Sequence, residues 1–262
     1  MGDIEVSRES DRWTARRGET DMGWLATLVR PDQRCVLSFA DCVDAAYEPL
    51  LAAVTGALDG DLYMEIDQVD EASLARCTRY GFTVKRREHL ITVPTDPATT
   101  GLGGVVLPHG YVSVTAAEVG ATELRLLDDE LRQDVPGSDG WRWTPQWFAR
   151  EMSATDFDPA TYRIAVHRPT GGYAGLARVW LRRSGPRLGL IATARGHRGR
   201  GVARALLAEV FAVLDGRGHP AVSAEVDHTN AASLSLLGGL GARVIGGTVE
   251  LLRPRAAPPR ND

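Results

Sequence analysis

A single lysine, Lys85, stands among the 262 residues, and the other strongly basic side chains are all arginine. Such one-sided usage reflects codon composition more than a binding role for each guanidinium, so arginine richness alone carries little weight. The formal net charge is −4, which lacks the basic excess that nonspecific nucleic-acid binding draws on. Cysteine is scarce. Cys35, Cys42 and Cys77 form an odd set with no Cys-x-x-Cys spacing, which argues against a disulfide framework and against a structural zinc or other metal site. The apolar runs fall short of the roughly 20 residues that a membrane span needs. Met1-Gly2-Asp3-Ile4-Glu5 also lacks the basic and apolar regions of a secretory signal. A cytoplasmic protein without membrane or nucleic-acid partners is expected, and 44% hydrophobic content is enough for one large or two modest cores.

The run Arg195-Gly196-His197-Arg198-Gly199-Arg200-Gly201-Val202-Ala203 enters an apolar helical pattern, and its chemistry points to a phosphate. Gly199 and Gly201 can take positive φ, which lets successive backbone N–H groups converge on one anion. The unpaired first-turn N–H groups of the helix and the positive end of its dipole favour negative charge at that end. Arg198 and Arg200 add forked donors. A glycine-broken turn with solvated arginines is the plain alternative. No Lys-Ser or Lys-Thr pair follows the glycines, so this is not a P-loop, and the spacing is not the dinucleotide Gly-x-Gly-x-x-Gly.

The chain contains itself twice. At an offset of 160 residues, Tyr63 through Val84 aligns without gaps to Ser223 through Val244, with Glu65/Glu225, Asp67/Asp227, Ala72/Ala232, Ser73/Ser233, Leu74/Leu234, Gly81/Gly241 and Val84/Val244 identical. Upstream, at an offset of 156, Leu50, Leu51, Ala52, Val54, Leu58, Asp59 and Gly60 meet identical partners. Identity in two adjacent blocks argues duplication. Residues 1–93 form the first copy, the Pro/Gly/Thr-rich stretch 94–110 reads as a linker, and 111–262 form the second copy. At the same offset Arg198, Gly199, Arg200 and Gly201 correspond to Cys42, Val43, Asp44 and Ala45. The first copy thus lacks the anion loop, and a packing or lid role is expected of it.

The second copy alternates strands and helices. Tyr111 to Val119 reads as a strand, Thr122 to Gln133 as a helix, and Thr144 and Pro145 as the N-cap and first residue of a helix to about Met152. Tyr162 to His167 and Tyr173 to Arg182 suggest a hairpin. Leu188 to Ala194 feeds the glycine loop, a helix follows from Val202 to Leu214, and strand Ala221 to Asp227, a helix after Asn230 and strand Arg243 to Leu252 complete it. The first copy has a hairpin at Trp13 to Arg17 and Gly23 to Arg30 and a strand at Arg34 to Phe39, with no room for the two early helices. The expected class is α/β (α+β), with two domains, each a mixed, mostly antiparallel sheet flanked by helices, the first truncated.

Arg198, Gly201 and Ala203, together with the later series Ala224-Glu225-Val226, Asn230, Ser233, Leu236 and Leu240-Gly241, resemble the two signatures of the GNAT superfamily of acyl-CoA-dependent N-acyltransferases. The likeness covers roughly residues 110 to 253. The whole chain is similar in layout to tandem members of the superfamily such as mycothiol synthase.

That resemblance implies acetyl-CoA as acyl donor and a small-molecule amine as acceptor, the chain working as a monomer through its paired domains or as a homodimer. Backbone groups of Ile191, Ala192 and Thr193 would pair with the pantetheine arm and polarise the thioester carbonyl. Arg198, Gly199, Arg200, Gly201, Val202 and Ala203 would take the pyrophosphate. Asn230, with Ser233, would touch the pantetheine or cap its own helix. Glu225 is the candidate base for the attacking amine, though Glu65 and Asp67 repeat the Glu225/Asp227 pair in the copy without a phosphate loop, which points instead to a structural hydrogen bond for both acids. The resemblance puts a tyrosine acid where this chain has Leu237, so Ser235, Ser233 or water must serve, or the thiolate leaves unaided. Asp134, Trp141 and Arg142 are expected to face the acceptor, with Trp147 and Phe148 anchoring their helix in the core. A noncatalytic acyl-CoA-binding regulator is the alternative, and an interaction module without cofactor the third reading.

Overall fold

The computed structural model describes residues 3–30 and 33–255. It divides into two compact units, one running to Arg87 and resuming at Thr248, the other spanning Glu88–Gly247. The boundary therefore falls inside strands rather than in the expected linker 94–110. In the first unit, β1 (Glu5–Glu9), β2 (Arg12–Arg17), β3 (Thr20–Val29), β4 (Cys35–Ala40), α1 (Tyr47–Ala57), β5 (Leu62–Asp67) and α2 (Glu71–Arg79) follow in chain order. Strand β6 (Thr83–Pro94) then leaves this unit, and its residues from Glu88 pair with a strand of the second unit. Conversely, the last strand of the chain, Arg243–Arg253, returns from Thr248 onward to pair antiparallel with β5. Each unit thus includes a strand segment that continues from the other copy.

The first-unit strands pair antiparallel except β4 and β5, which are parallel. β1 is the element that the sequence reading misses. Its residues are largely exposed, so no apolar alternation marks it. It turns directly into β2, with Ser10 at φ 55°. The truncation is therefore confined to helices.

The second unit begins with α3 (Pro97–Thr100), inside the stretch read as a linker. Asp96 caps it through Ala98 and Thr99 N–H, and Leu102 is buried in the core. The Pro/Gly/Thr run is thus anchored rather than a free spacer. β7 (Tyr111–Thr115) stops short of the expected Val119, because a Thr115/Glu118 capping box starts a 3-10 turn there. Then come α4 (Ala121–Arg132), α5 (Pro145–Met152), β8 (Tyr162–His167), β9 (Gly172–Arg182), β10 (Gly185–Thr193), α6 (Val202–Gly216), β11 (Ala221–Asp227), α7 (Ala231–Gly238) and β12 (Arg243–Arg253). The sheet order is β6-β11-β10-β9-β8-β7.

Two apolar layers cover this sheet. On one face Leu188, Val222, Ala224 and Val226 pack with Val202, Leu206, Val210 and Leu237. On the other, Leu176 and Leu190 pack with Leu124, Leu127, Phe148 and Tyr162. The duplicated leucines and valine within α1 and α6 are core positions. Leu50, Leu51 and Val54 of α1, like Leu206, Leu207 and Val210 of α6, are fully buried, an i, i+1, i+4 stripe that faces its sheet. No helix among the described residues is long and apolar enough to cross a membrane.

Candidate acyl-transfer site

Strands β10 and β11 run parallel but pair at only Arg187↔Ser223 and Leu188↔Ala224. Beyond that point β10 stays bonded to β9 as far as Thr193↔Gly175, with an irregularity between Leu188 and Leu190. The strands therefore diverge on the β11 side, where Ile191, Ala192 and Thr193 pair with β9 but not with β11, and the Thr193 carbonyl accepts from Arg198 instead. The other backbone groups on that side need a partner, and an extended chain carrying amides can supply one as an added strand. Thr193 Oγ1 is buried there without a hydrogen bond.

β10 leads through a 3-10 turn, Arg195–His197, into the glycine loop. Gly199 and Gly201 adopt φ of 71° and 85°, the left-handed region that their residue type permits. Gly201 is the N-cap of α6, and no side chain caps that helix. The first-turn N–H groups are thus open to an outside acceptor. Val202 turns its side chain into the core, at 1% exposure, so its contribution to such a site is its backbone. Arg200 is exposed.

Arg198 is already engaged. Its Nε donates to the Thr193 carbonyl at 2.9 Å and its Nη2 to Asp134 Oδ2 at 2.6 Å. Arg195 grips the same carboxylate through Nε and Nη2. The hydrogen bonds and charge of Arg195, with those of Arg198, pull the Asp134 carboxyl down to about 2. Asp134, expected on the acceptor side, instead ties the segment after α4 to the glycine loop.

Asn230 realises the capping alternative. Its Oδ1 accepts from Ser233 N–H at 3.1 Å, as Asp70 accepts from Ser73 N–H at 2.9 Å in the first unit. Asp227 and Asp67 likewise each bind a backbone N–H two residues on. The duplicated acids at these positions are turn and cap devices, which explains their presence in a copy without the loop.

Glu225 lies on β11 one residue past the last paired position, exposed, with its carboxylate ion-paired to Arg187. Ser235 is exposed on α7, whereas Leu237 is 1% exposed in the core, so the position after Leu236 cannot donate a proton. Trp141 stacks edge-on against Trp143 with ring centres 4.5 Å apart, and Arg142 is exposed. Phe148 is buried as expected, but Trp147 is 40% exposed beneath Arg150 rather than in the core.

Beside the loop stands a cluster that histidine spacing does not reveal. His197 Nδ1 and the Tyr111 hydroxyl are 2.8 Å apart, and the His167 ring lies 5.0 Å from that of His197. Partial burial, with the charges of His167 and Arg200, holds His197 below the usual imidazole value.

The first unit has the same strand-to-helix arrangement without the loop. Asp44 and Glu48 at the start of α1 are ion-paired to Arg76 and Arg79 of α2, and Arg76 stacks on Tyr47 at 4.2 Å. Acidic groups stand where the second unit has open amides.

Residues 125–241 match the family model described as "Acetyltransferase (GNAT) family". Over that range the chain is similar to the GNAT family. The GNAT family supports acyl transfer as the general activity. The fold agrees over nearly the whole length. A GCN5-related N-acetyltransferase from Sphaerobacter thermophilus superposes with a TM-score of 0.68 at 17% identity, covering 94% of this chain and 81% of its own. A tandem GNAT protein from the clavulanic acid biosynthesis pathway gives 0.68 at 18%, covering 94% and 83%. A GCN5-related N-acetyltransferase from Kribbella flavida gives 0.59 at 15%, covering 97% and 90%. No curated protein matches the chain. The matched residues lie in the second unit, with the glycine loop among them, and the fold likeness to a tandem GNAT protein extends over the first unit.

Proposed function

We propose that the protein is an N-acetyltransferase that moves an acetyl group from acetyl-CoA to the primary amine of a small molecule. The observation that carries this reading is the uncapped N-terminus of α6 behind two positive-φ glycines, set at the mouth of the β10/β11 divergence. The amides of Gly199 through Ala203 take the pyrophosphate, and the β11-side edge of Ile191–Thr193, apart from the Thr193 carbonyl that Arg198 occupies, takes the pantetheine. Bound acetyl-CoA supplies a thioester whose carbonyl carbon is the electrophile. Backbone N–H groups of β10 facing the divergence stabilise charge on its oxygen. The C–N bond forms as the C–S bond breaks, one amine proton passes to Glu225, and the thiolate leaves and is protonated from water. A thiol pKa of about 8.5 allows that unaided departure. Arg187 holds the Glu225 carboxylate at the foot of the divergence.

Purified protein incubated with acetyl-CoA and a panel of primary amines is expected to release CoA, and Glu225→Gln to lower kcat by about 100-fold or more while acetyl-CoA affinity stays unchanged. Affinity without turnover on any amine supports the second reading, a noncatalytic acyl-CoA-binding regulator, which the buried Leu237 favours.

His197 sets the pH dependence. Its imidazole is held below the usual value in the unliganded protein, and a polyanion on the adjoining loop favours its charged form, so binding raises that value and takes up protons. Acetyl-CoA affinity should therefore rise as pH falls through the imidazole range, by about tenfold for each unit by which binding raises the pKa. Calorimetric titrations between pH 8 and 5.5 check this, and His197→Gln should flatten the slope. A wild-type affinity that falls throughout that range rules the role out.

A further inference from the structure

The sheet face beneath α4 and α5 holds a group of polar atoms that the acyl-transfer machinery leaves unused. Arg178 sits in the middle of β9, between Tyr162 and Leu190 on the neighbouring strands, and is 1% exposed. Its Nη1 donates to Asp128 Oδ2 at 2.6 Å, but Nε and Nη2 are buried without a partner. The indole Nε1 atoms of Trp180 and Trp141 are likewise buried and unpartnered. Asp128 cannot serve them all. Its Oδ1 already accepts from Arg132 and Trp143, and its Oδ2 from Arg178 and Tyr162.

All four unpartnered atoms are N–H donors, and none is an acceptor. Nε and Nη2 form the side edge of the guanidinium, whose two parallel N–H bonds match the two oxygens of a carboxylate. Trp180 lies directly over Gly189, where any Cβ would collide with its ring. Gly189 marks the irregularity at which β10 parts from β11. Arg187 pairs across the strands with Trp180 and holds Glu225 on this same face. At the rung of Trp180, Arg187 and Ser223, the Cα atoms of β9 and β11 are about 10 Å apart at the usual strand spacing. Arg178 and Glu225 each lie two residues further along on either side of the divergence, where one small molecule can touch both side chains.

We propose that the acceptor is an amine that also carries a carboxylate, and that Arg178 holds this carboxylate through Nε and Nη2 while the amine faces Glu225. This rests on the acetyltransferase reading. Trp180, 8% exposed, forms the outer wall, and its indole shifts from Gly189 to admit the carboxylate and donates its N–H to it. A buried water on Arg178 is the competing explanation, and it carries no acceptor preference.

Matched acceptors decide between them. The full chain with acetyl-CoA is assayed on phenylalanine against phenethylamine, and on 6-aminohexanoate against hexylamine. At least one carboxylate member should show at least about tenfold higher kcat/KM than its neutral partner. Arg178→Lys, which keeps the charge beside Asp128 but loses the fork, should erase that ratio chiefly through KM. Trp180→Phe, which removes only the indole N–H, should raise KM several-fold for the carboxylate substrate alone. Equal use of both members of each pair, or equal losses on both in the Arg178 variant, overturns the proposal. Should no amine be acetylated, the acetyltransferase reading fails, and tryptophan fluorescence then tests the carboxylate site alone. Saturable quenching by N-acetylphenylalanine but not by its amide, lost in Arg178→Lys, supports the site, and absence of saturation overturns it.

Discussion

Gly201→Val is expected to weaken acetyl-CoA binding by at least about 100-fold, a loss of about 2.7 kcal/mol, while the chain still folds. Gly201 sits at φ 85° and ψ 0° as the N-cap of α6. A Cβ there meets only Pro108 Cγ, at 4.0 Å, so the penalty is conformational rather than steric. An L residue in the left-handed region is strained by about 1–2 kcal/mol, and a β-branched side chain is among the least tolerant. The chain relieves that strain by rotating the peptide, which turns the first-turn N–H groups away from their common focus. The first unit shows an unglycinated version of the junction. There Ala46 at φ −84° precedes α1, and β4 ends at Ala40, leaving a shorter connection to Tyr47 than that between Thr193 and Val202. Gly218→Ala is the control. Its φ is 80° with open space around it, beyond the other end of α6, so strain there should lower stability slightly and leave acetyl-CoA affinity intact. Isothermal titration with a circular-dichroism melt of each variant reads both quantities. Wild-type affinity in Gly201→Val would show that the loop does not carry the phosphates.

Much of this arrangement was legible in the residues because it rests on local chemistry. Thr144-Pro145 announced α5, and Thr144 Oγ1 does accept from Trp147 N–H at 3.2 Å. The glycines of the loop announced their positive φ. Internal duplication located α1 and α6 through the same buried leucines. What escaped was whatever depends on distant pairing. β1 has no apolar alternation, and its existence follows from β2 offering an edge. The passage of β6 and β12 between units follows from pairing with β11 and β5, which no local pattern encodes. At the site, the family resemblance places Asp134 on the acceptor side. Only the fold brings Arg195 and Arg198 onto it across about 60 residues of chain. Arg178 is one more arginine within a strand, since nothing in Leu176-Ala177-Arg178-Val179-Trp180 tells of its buried partner on α4.

That partner gives the largest expected effect on stability. Asp128 is fully buried on α4 and accepts from Arg132, Arg178, Trp143 and Tyr162. Burial alone would raise its carboxyl, but the Arg178 and Arg132 charges outweigh burial and hold it below the ordinary value. Asp128→Ala removes the counter-charge from an arginine that is 1% exposed and strips partners from the Trp143 indole and the Tyr162 hydroxyl. Removing one member of a buried ion pair costs about 3–5 kcal/mol, a large share of the roughly 5–15 kcal/mol that holds a domain folded. For a unit of this size the unfolding midpoint should drop by about 10 °C. Tryptophan emission follows the transition, because Trp141, Trp143 and Trp180 surround the pair. Combining Asp128→Leu with Arg178→Met should recover part of the loss, since it removes both charges and fills the space with apolar atoms. Recovery stays incomplete because Arg132, Trp143 and Tyr162 still lack their acceptor. If the double variant is no more stable than the sum of the single losses allows, the pair is not coupled, and Asp128 stabilises the unit through its other donors.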